Sequence, residues 1–156
     1  MHSHGRKLAG AASVIAMILL ASCASLQHSW DQGNVQTVAG LINEGQADKL
    51  AAMSAVPFLV DGEIVTLKPD IASFWNGIVK AGFKVEDANL VQAAPLAPDS
   101  YRQFANTMEV KTFFARYVKK EARLLELGTS KSGKKIMLIF GDSSFKKTIY
   151  GFKGPY

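Results

Sequence analysis

Pro57-Phe58-Leu59-Val60-Asp61-Gly62-Glu63-Ile64-Val65-Thr66-Leu67 is the stretch on which the reading of the fold turns. Two runs rich in β-branched and aromatic residues flank Asp61-Gly62. That dipeptide suits a two-residue hairpin turn, because such turns need positive φ at both central positions. Upstream, Trp30 to Asn43 carries Val35, Val38, Ala39 and Ile42 at helical spacing, with Gly45 placed to end the helix. A second short helix is expected from Ala47 to Ser54. Downstream, Asp70 reads as the N-cap of a helix with the apolar stripe Ile71, Phe74, Trp75, Ile78 and Val79, closed by Gly82.

Phe83 to Ala94 reads as a strand containing Leu90 and Val91, followed by a loop at Pro95 and Pro98. Asn106 with Glu109 three residues on has the form of a capping box, opening a helix through Val110, Phe113, Phe114, Tyr117 and Val118. The remainder reads as antiparallel strands over Ala122–Leu127, Lys135–Phe140 and Phe145–Phe152, with a turn near Ser132-Gly133. Helices first and strands grouped at the end predict an α+β class, with an antiparallel sheet packed on helices. This order of elements resembles the NTF2-like, cystatin-like cone, in which a curved sheet wraps a long helix and leaves a pocket at the open end. The resemblance covers Trp30 to Tyr156 and implies a single domain there. It is one of element order, and the helix from Asn106 to Val118 departs from it, since the family runs through strands at that point.

The first residues carry a different message. Arg6 and Lys7 precede fourteen apolar or small residues, Leu8 to Ala21. That is short of the ~20 residues of a membrane span and suits the core of a signal peptide. The run ends in Leu20-Ala21-Ser22-Cys23, which resembles the lipobox of bacterial lipoproteins. The resemblance implies a signal peptide over 1–22, cleavage before Cys23, and diacylglycerol and palmitate-type acylation of that cysteine, a residue whose thiolate is a good nucleophile. Residues 23–29 would then be lipidated cysteine and tether, with 30–156 the folded domain. Two or three acyl chains make a stable anchor where one does not. Ala24, where an Asp would favour inner-membrane retention, points to the outer membrane if the host has one. The expected localisation is the cell envelope, and the expected partner is the membrane, through lipid on Cys23.

Charge is unevenly spread. The chain of 156 residues has a net charge of +5, and removal of Arg6 and Lys7 leaves +3. From His28 to Val110 five basic residues meet ten acidic ones; from Lys111 to Tyr156 eleven meet three. Such an imbalance is most often a set of solvated faces, and its sharper reading is a basic face that meets an anionic partner.

Several chemistries are not provided for. Cys23 is the only cysteine, so no internal disulfide forms. His2 and His4 lie in the leader, which leaves His28, in the tether, as the one histidine of the processed chain. A His-rich metal site and a Ser-His-Asp arrangement in the domain are therefore not expected. No phosphate-binding glycine loop or calcium loop occurs, so no cofactor is expected, and no nucleic-acid partner for an exported domain. Carboxylates and tyrosines remain. Asp61 and Glu63 are the catalytic candidates by position on the first hairpin, although Asp61-Gly62 is also what the turn itself wants. Asp142 sits near another turn. Trp75, Tyr117 and Tyr150 are the ligand-binding candidates, although aromatic residues at helical spacing more often belong to the core. The reading that results is a lipid-anchored, non-enzymatic binding or assembly module for a small apolar ligand or an envelope protein. The alternative is a small carboxylate-based acid/base enzyme of the same fold, acting on an apolar substrate.

Overall fold

The computed structural model describes residues 29–86, 88–129, 133–143 and 146–156. The signal-peptide, Cys23 and tether expectations for residues 1–28 lie outside these, as do Ser132 of the expected turn and Phe145 at the start of the last strand. Residues 29–43 are helical (α1). There follow α2 (Ala47–Met53), β1 (Ser54–Val60), β2 (Glu63–Val65), α3 (Lys68–Lys80), β3 (Ala88–Pro95), a 3-10 turn (Ser100–Gln103), α4 (Met108–Tyr117), β4 (Arg123–Thr129), β5 (Lys135–Ser143) and β6 (Lys146–Lys153). No helix among the described residues is long and apolar enough to cross a membrane.

The α+β class is therefore as expected. The sheet, however, is mixed and open, in the order β2-β1-β6-β5-β4-β3. Every neighbouring pair is antiparallel except β1 and β6, which run parallel through Leu59↔Gly151 and Val60↔Phe152. An all-antiparallel sheet was the expectation. A hairpin signal specifies how its own two strands pair, and says nothing of what its outer edge meets.

Helix ends follow local chemistry. Gly45 (φ +71°) receives the close of α1: its N–H donates to Ile42 O at 3.1 Å, and the Gln46 N–H donates to Leu41 O at 2.8 Å. Gly82 (φ +68°) repeats the motif on α3, with Gly82 N–H to Val79 O and Phe83 N–H to Ile78 O. A residue in the left-handed region turns the chain so that two otherwise orphaned carbonyls are bonded, and glycine does this without a Cβ penalty. Two helix starts differ from expectation. Asp70 is not the N-cap of α3. Leu67 holds that position, and Pro69 in the first turn sets the start, because proline lacks an N–H and is tolerated only there. For α4 the cap is Thr107, not Asn106: its hydroxyl accepts the Val110 N–H at 3.2 Å, three residues on. The expected strand from Phe83 begins only at Ala88. The preceding backbone is held instead by the Asn43 side chain, which donates to Val85 O at 2.7 Å and accepts the Val85 N–H at 2.8 Å.

Both faces of the sheet are covered, so the centre of β5 is buried from Ile136 to Gly141. On one face Val35, Val38, Ile42, Leu50 and Trp75 of α1–α3 pack on Phe58, Leu125, Leu127, Leu138 and Phe152. Phe58, Phe74, Trp75 and Phe152 form an aromatic cluster with ring centroids 4.9 to 6.0 Å apart. Trp75 is wholly buried, and its indole N–H donates to Ser54 Oγ at 2.9 Å, which in turn donates to Leu50 O. The other face is closed by Tyr101 of the 3-10 turn, Phe104 just after it, and Val110 and Phe113 of α4, packed on Leu59, Leu124, Met137, Ile139 and Tyr150.

Candidate polar groove at the start of α1

The buried stripe of α1 changes character at one end. Asp31 and Asn34 stand one turn before Val35 and Val38, so they face the sheet as those residues do. They are 2% and 5% exposed. Burial of such groups is costly unless each finds a partner. The strands supply the partners. Arg123, two residues before Leu125 on β4, donates from Nε to Asp31 Oδ2 at 3.0 Å. Asp142, two residues after Phe140 on β5, accepts from Asn34 Nδ2 at 3.2 Å. The register that sets Arg123 opposite Phe140 brings these two polar strand residues to the same end of the sheet. Among the described residues no buried side-chain nitrogen or oxygen lacks a hydrogen bond.

Three openings converge on Asp142. The largest, about 590 Å³, lies between α1 and the end of the β5–β6 hairpin and includes Trp30, Asn34, Ser143 and Lys147. A second, about 220 Å³, has Trp30, Asp31, Glu121 and Arg123 in its wall. The third, also about 220 Å³, opens on the opposite face beside Lys119, Glu121, Lys146 and Tyr150. Trp30 is 65% exposed at the rim. The arrangement offers an aromatic face, fixed hydrogen-bonding groups and charges of both signs, which suits a polar ligand better than an apolar one.

The sequence-derived candidates are scattered. Tyr150 reaches one opening: its ring lies against Gly141, where an added Cβ would meet it at 2.8 Å. Burial, and then the negative charge of Glu121, push its phenol above the usual value. Trp75 is in the core, and Tyr117, on α4, is exposed, its ring tilted against that of Phe113 with centroids 5.9 Å apart. Asp61 is exposed in the hairpin turn at φ +49°, where its carboxylate accepts the Gly154 N–H at 2.8 Å. Glu63 is exposed on β2. Neither carboxylate lines the three openings. No group of three or more His, Cys, Asp or Glu among the described residues is placed to hold a metal ion.

Asp31, Asn34 and Arg123 were not singled out from the sequence. The available signal was the polar continuation of an apolar helical stripe, four residues before Val35 and four before Val38. No protein-family model matches the chain. No curated protein and no solved structure matches it either.

Proposed function

We propose that the chain is a lipid-anchored envelope protein whose domain is a non-enzymatic binding module, with its ligand site in the groove beside Trp30. Its plan is taken as a variant of the NTF2-like arrangement, supported by the order of two helices, hairpin, third helix and closing strands. The sheet face under α1–α3 is packed with Phe58, Trp75 and Phe152, with Phe74 partly buried against them. The observation that carries the binding reading is the pair of polar contacts, Asp31–Arg123 and Asn34–Asp142, built into the wall of an open groove. Fixed polar groups beside an exposed aromatic surface orient a polar ligand at little ordering cost. A carboxylate-based enzyme would need a carboxyl group free to exchange a proton in a water-poor place. The buried carboxylate here, Asp31, is already engaged by Arg123.

Two measurements test the reading separately. Labelled palmitate is incorporated by the wild type and not by Cys23→Ser; equal labelling of both ends the anchor assignment. Native mass spectrometry of the detergent-extracted protein shows a bound small molecule that Trp30→Ala combined with Asn34→Leu releases. A ligand retained by that variant, or none in the wild type, ends the assignment of the groove.

A further inference from the structure

We infer that the end of the domain bearing Trp30, Lys119, Lys120, Lys146 and Lys147 docks on an anionic bilayer surface, so that the groove opens toward lipid headgroups. The inference rests on the anchored reading for its tether and otherwise on strand direction and charge. The lysines of β5, of β6 and of the connection from α4 to β4 fall into two groups. β5 runs from Lys135 to Ser143, and β6 returns beside it with Ser143 opposite Lys146 and Met137 opposite Lys153. At about 3.4 Å per residue, the two ends of β5 stand roughly 27 Å apart. That is more than three Debye lengths of about 8 Å at physiological salt, so a surface met end-on by one group does not act on the other.

At the far end Lys135 is paired with Glu126 at 2.9 Å, and Lys153 donates to Gln103 O. At the near end Lys146 and Lys147 are exposed, and Lys119 shares an opening with Lys146, with exposed Lys120 next in sequence. Glu121 and Asp142 oppose them, and Arg123 and Asp31 pair with each other, which leaves this end net positive. Trp30 adds an exposed indole to the same end, beside Lys147. Tryptophan favours the headgroup level of a bilayer, where its ring is half in apolar surroundings and its N–H stays hydrated. The charge of this end complements an anionic membrane. Residues 24–29, which join Trp30 to Cys23, span at most about 20 Å even fully extended. The tether therefore delivers this end, and not the far one, to the bilayer, and the groove is served by ligands that reside at the membrane surface.

The test uses the full chain reconstituted into phosphatidylcholine vesicles with and without phosphatidylglycerol, footprinted with a water-soluble amine-reactive reagent. With phosphatidylglycerol at low salt, Lys119, Lys120, Lys146 and Lys147 are protected severalfold relative to Lys134 and Lys153. The protection fades in molar salt, where the Debye length is about 3 Å. Trp30 emission, identified by its loss in Trp30→Phe, is quenched by shallow brominated lipids in the anionic vesicles. Replacing the four near-end lysines by Gln weakens that quenching, and replacing Lys134 and Lys153 does not. Uniform labelling, protection of the far end, or protection indifferent to phosphatidylglycerol overturns the inference. Flotation of Cys23→Ser beside the wild type separates the two readings: equal flotation counts against the lipid anchor, while the footprint still decides which end docks.

Discussion

Trp75 and Trp30 show how one residue type is put to opposite uses. Trp75 lies within a five-residue apolar stripe and is sealed by Phe58, Phe74 and Phe152. Trp75→Ala is expected to cost about 3–5 kcal/mol, since both transfer energy and a residual cavity are lost. Trp30→Ala is expected to stay within about 0.5 kcal/mol, as surface changes usually do. Urea melts of a chain starting at Ala24 measure both. The stripe made the burial of Trp75 legible; the exposure of Trp30 was not, because it depends on where a groove opens. At the chain end, Tyr156 and Lys135 exchange both backbone hydrogen bonds, and the Tyr156 hydroxyl donates to Glu126 at 3.0 Å. Burial first, and then Glu126, push the Tyr156 phenol up to about 12. A raised phenol stabilises the fold fully below the unfolded value, and that contribution fades as pH rises from about 10 to about 12. Glu126 moves the other way, held below the usual carboxylate value chiefly by the hydrogen bond from Lys135. Its contribution is present above the ordinary carboxylate range and is lost as pH falls through the lowered value. Tyr156→Phe should flatten the alkaline decline and Glu126→Gln the acid one, read from urea midpoints across pH.

At the scale of elements, most boundaries came from signals that act within a few residues. Glycine at a helix end, Asp-Gly in a turn and 3.6-residue spacing are local, and α1, α2, the hairpin and α3 were legible for that reason. Errors arose where two local signals competed, as Pro69 outweighed Asp70, or where a distant side chain took over, as Asn43 did for residues 83–86. Helix α1 allows a paired test. Gly40 lies within the helix, and a Cβ added there would meet nothing within 4 Å, so Gly40→Ala should stabilise by up to about 1 kcal/mol through helix propensity. Gly45 has positive φ, and a Cβ there would meet Val79 Cγ1 at 3.4 Å. Gly45→Ala should therefore destabilise, by about 1–2 kcal/mol from the left-handed conformation alone. Thermal melts of the two variants should move in opposite directions from the parent; a shared direction would mean that α1 does not end as described.

For the whole molecule, sequence supplied the elements and not their arrangement. Long-range pairing depends on which free edge meets which, so the insertion of β6 between β1 and β5 had no local signature, nor did the convergence of Asp31, Asn34, Arg123 and Asp142. That arrangement has consequences for how the protein opens. β5 and β6 are central in the sheet, and β5 is covered on both faces, by α1–α3 and by α4. β2 and β3 are the edges, and β2 is only three residues long. Amides in the centre of a doubly covered sheet exchange only when most of the core is lost, whereas edge strands open locally at lower free energy. Amide hydrogen exchange should thus be slowest over Ile136 to Phe140 and markedly faster in Glu63–Val65 and along the outer edge of β3. Asp61 refines the expectation, since its N–H donates to Phe152 O at 3.0 Å and its carboxylate holds Gly154. Asp61→Ala should speed exchange in the hairpin and at the end of β6 while leaving Ile136 to Phe140 slow, because it removes one clasp and leaves both core faces closed. Uniform acceleration across β5 in that variant would instead make the β1–β6 seam the step on which global unfolding turns.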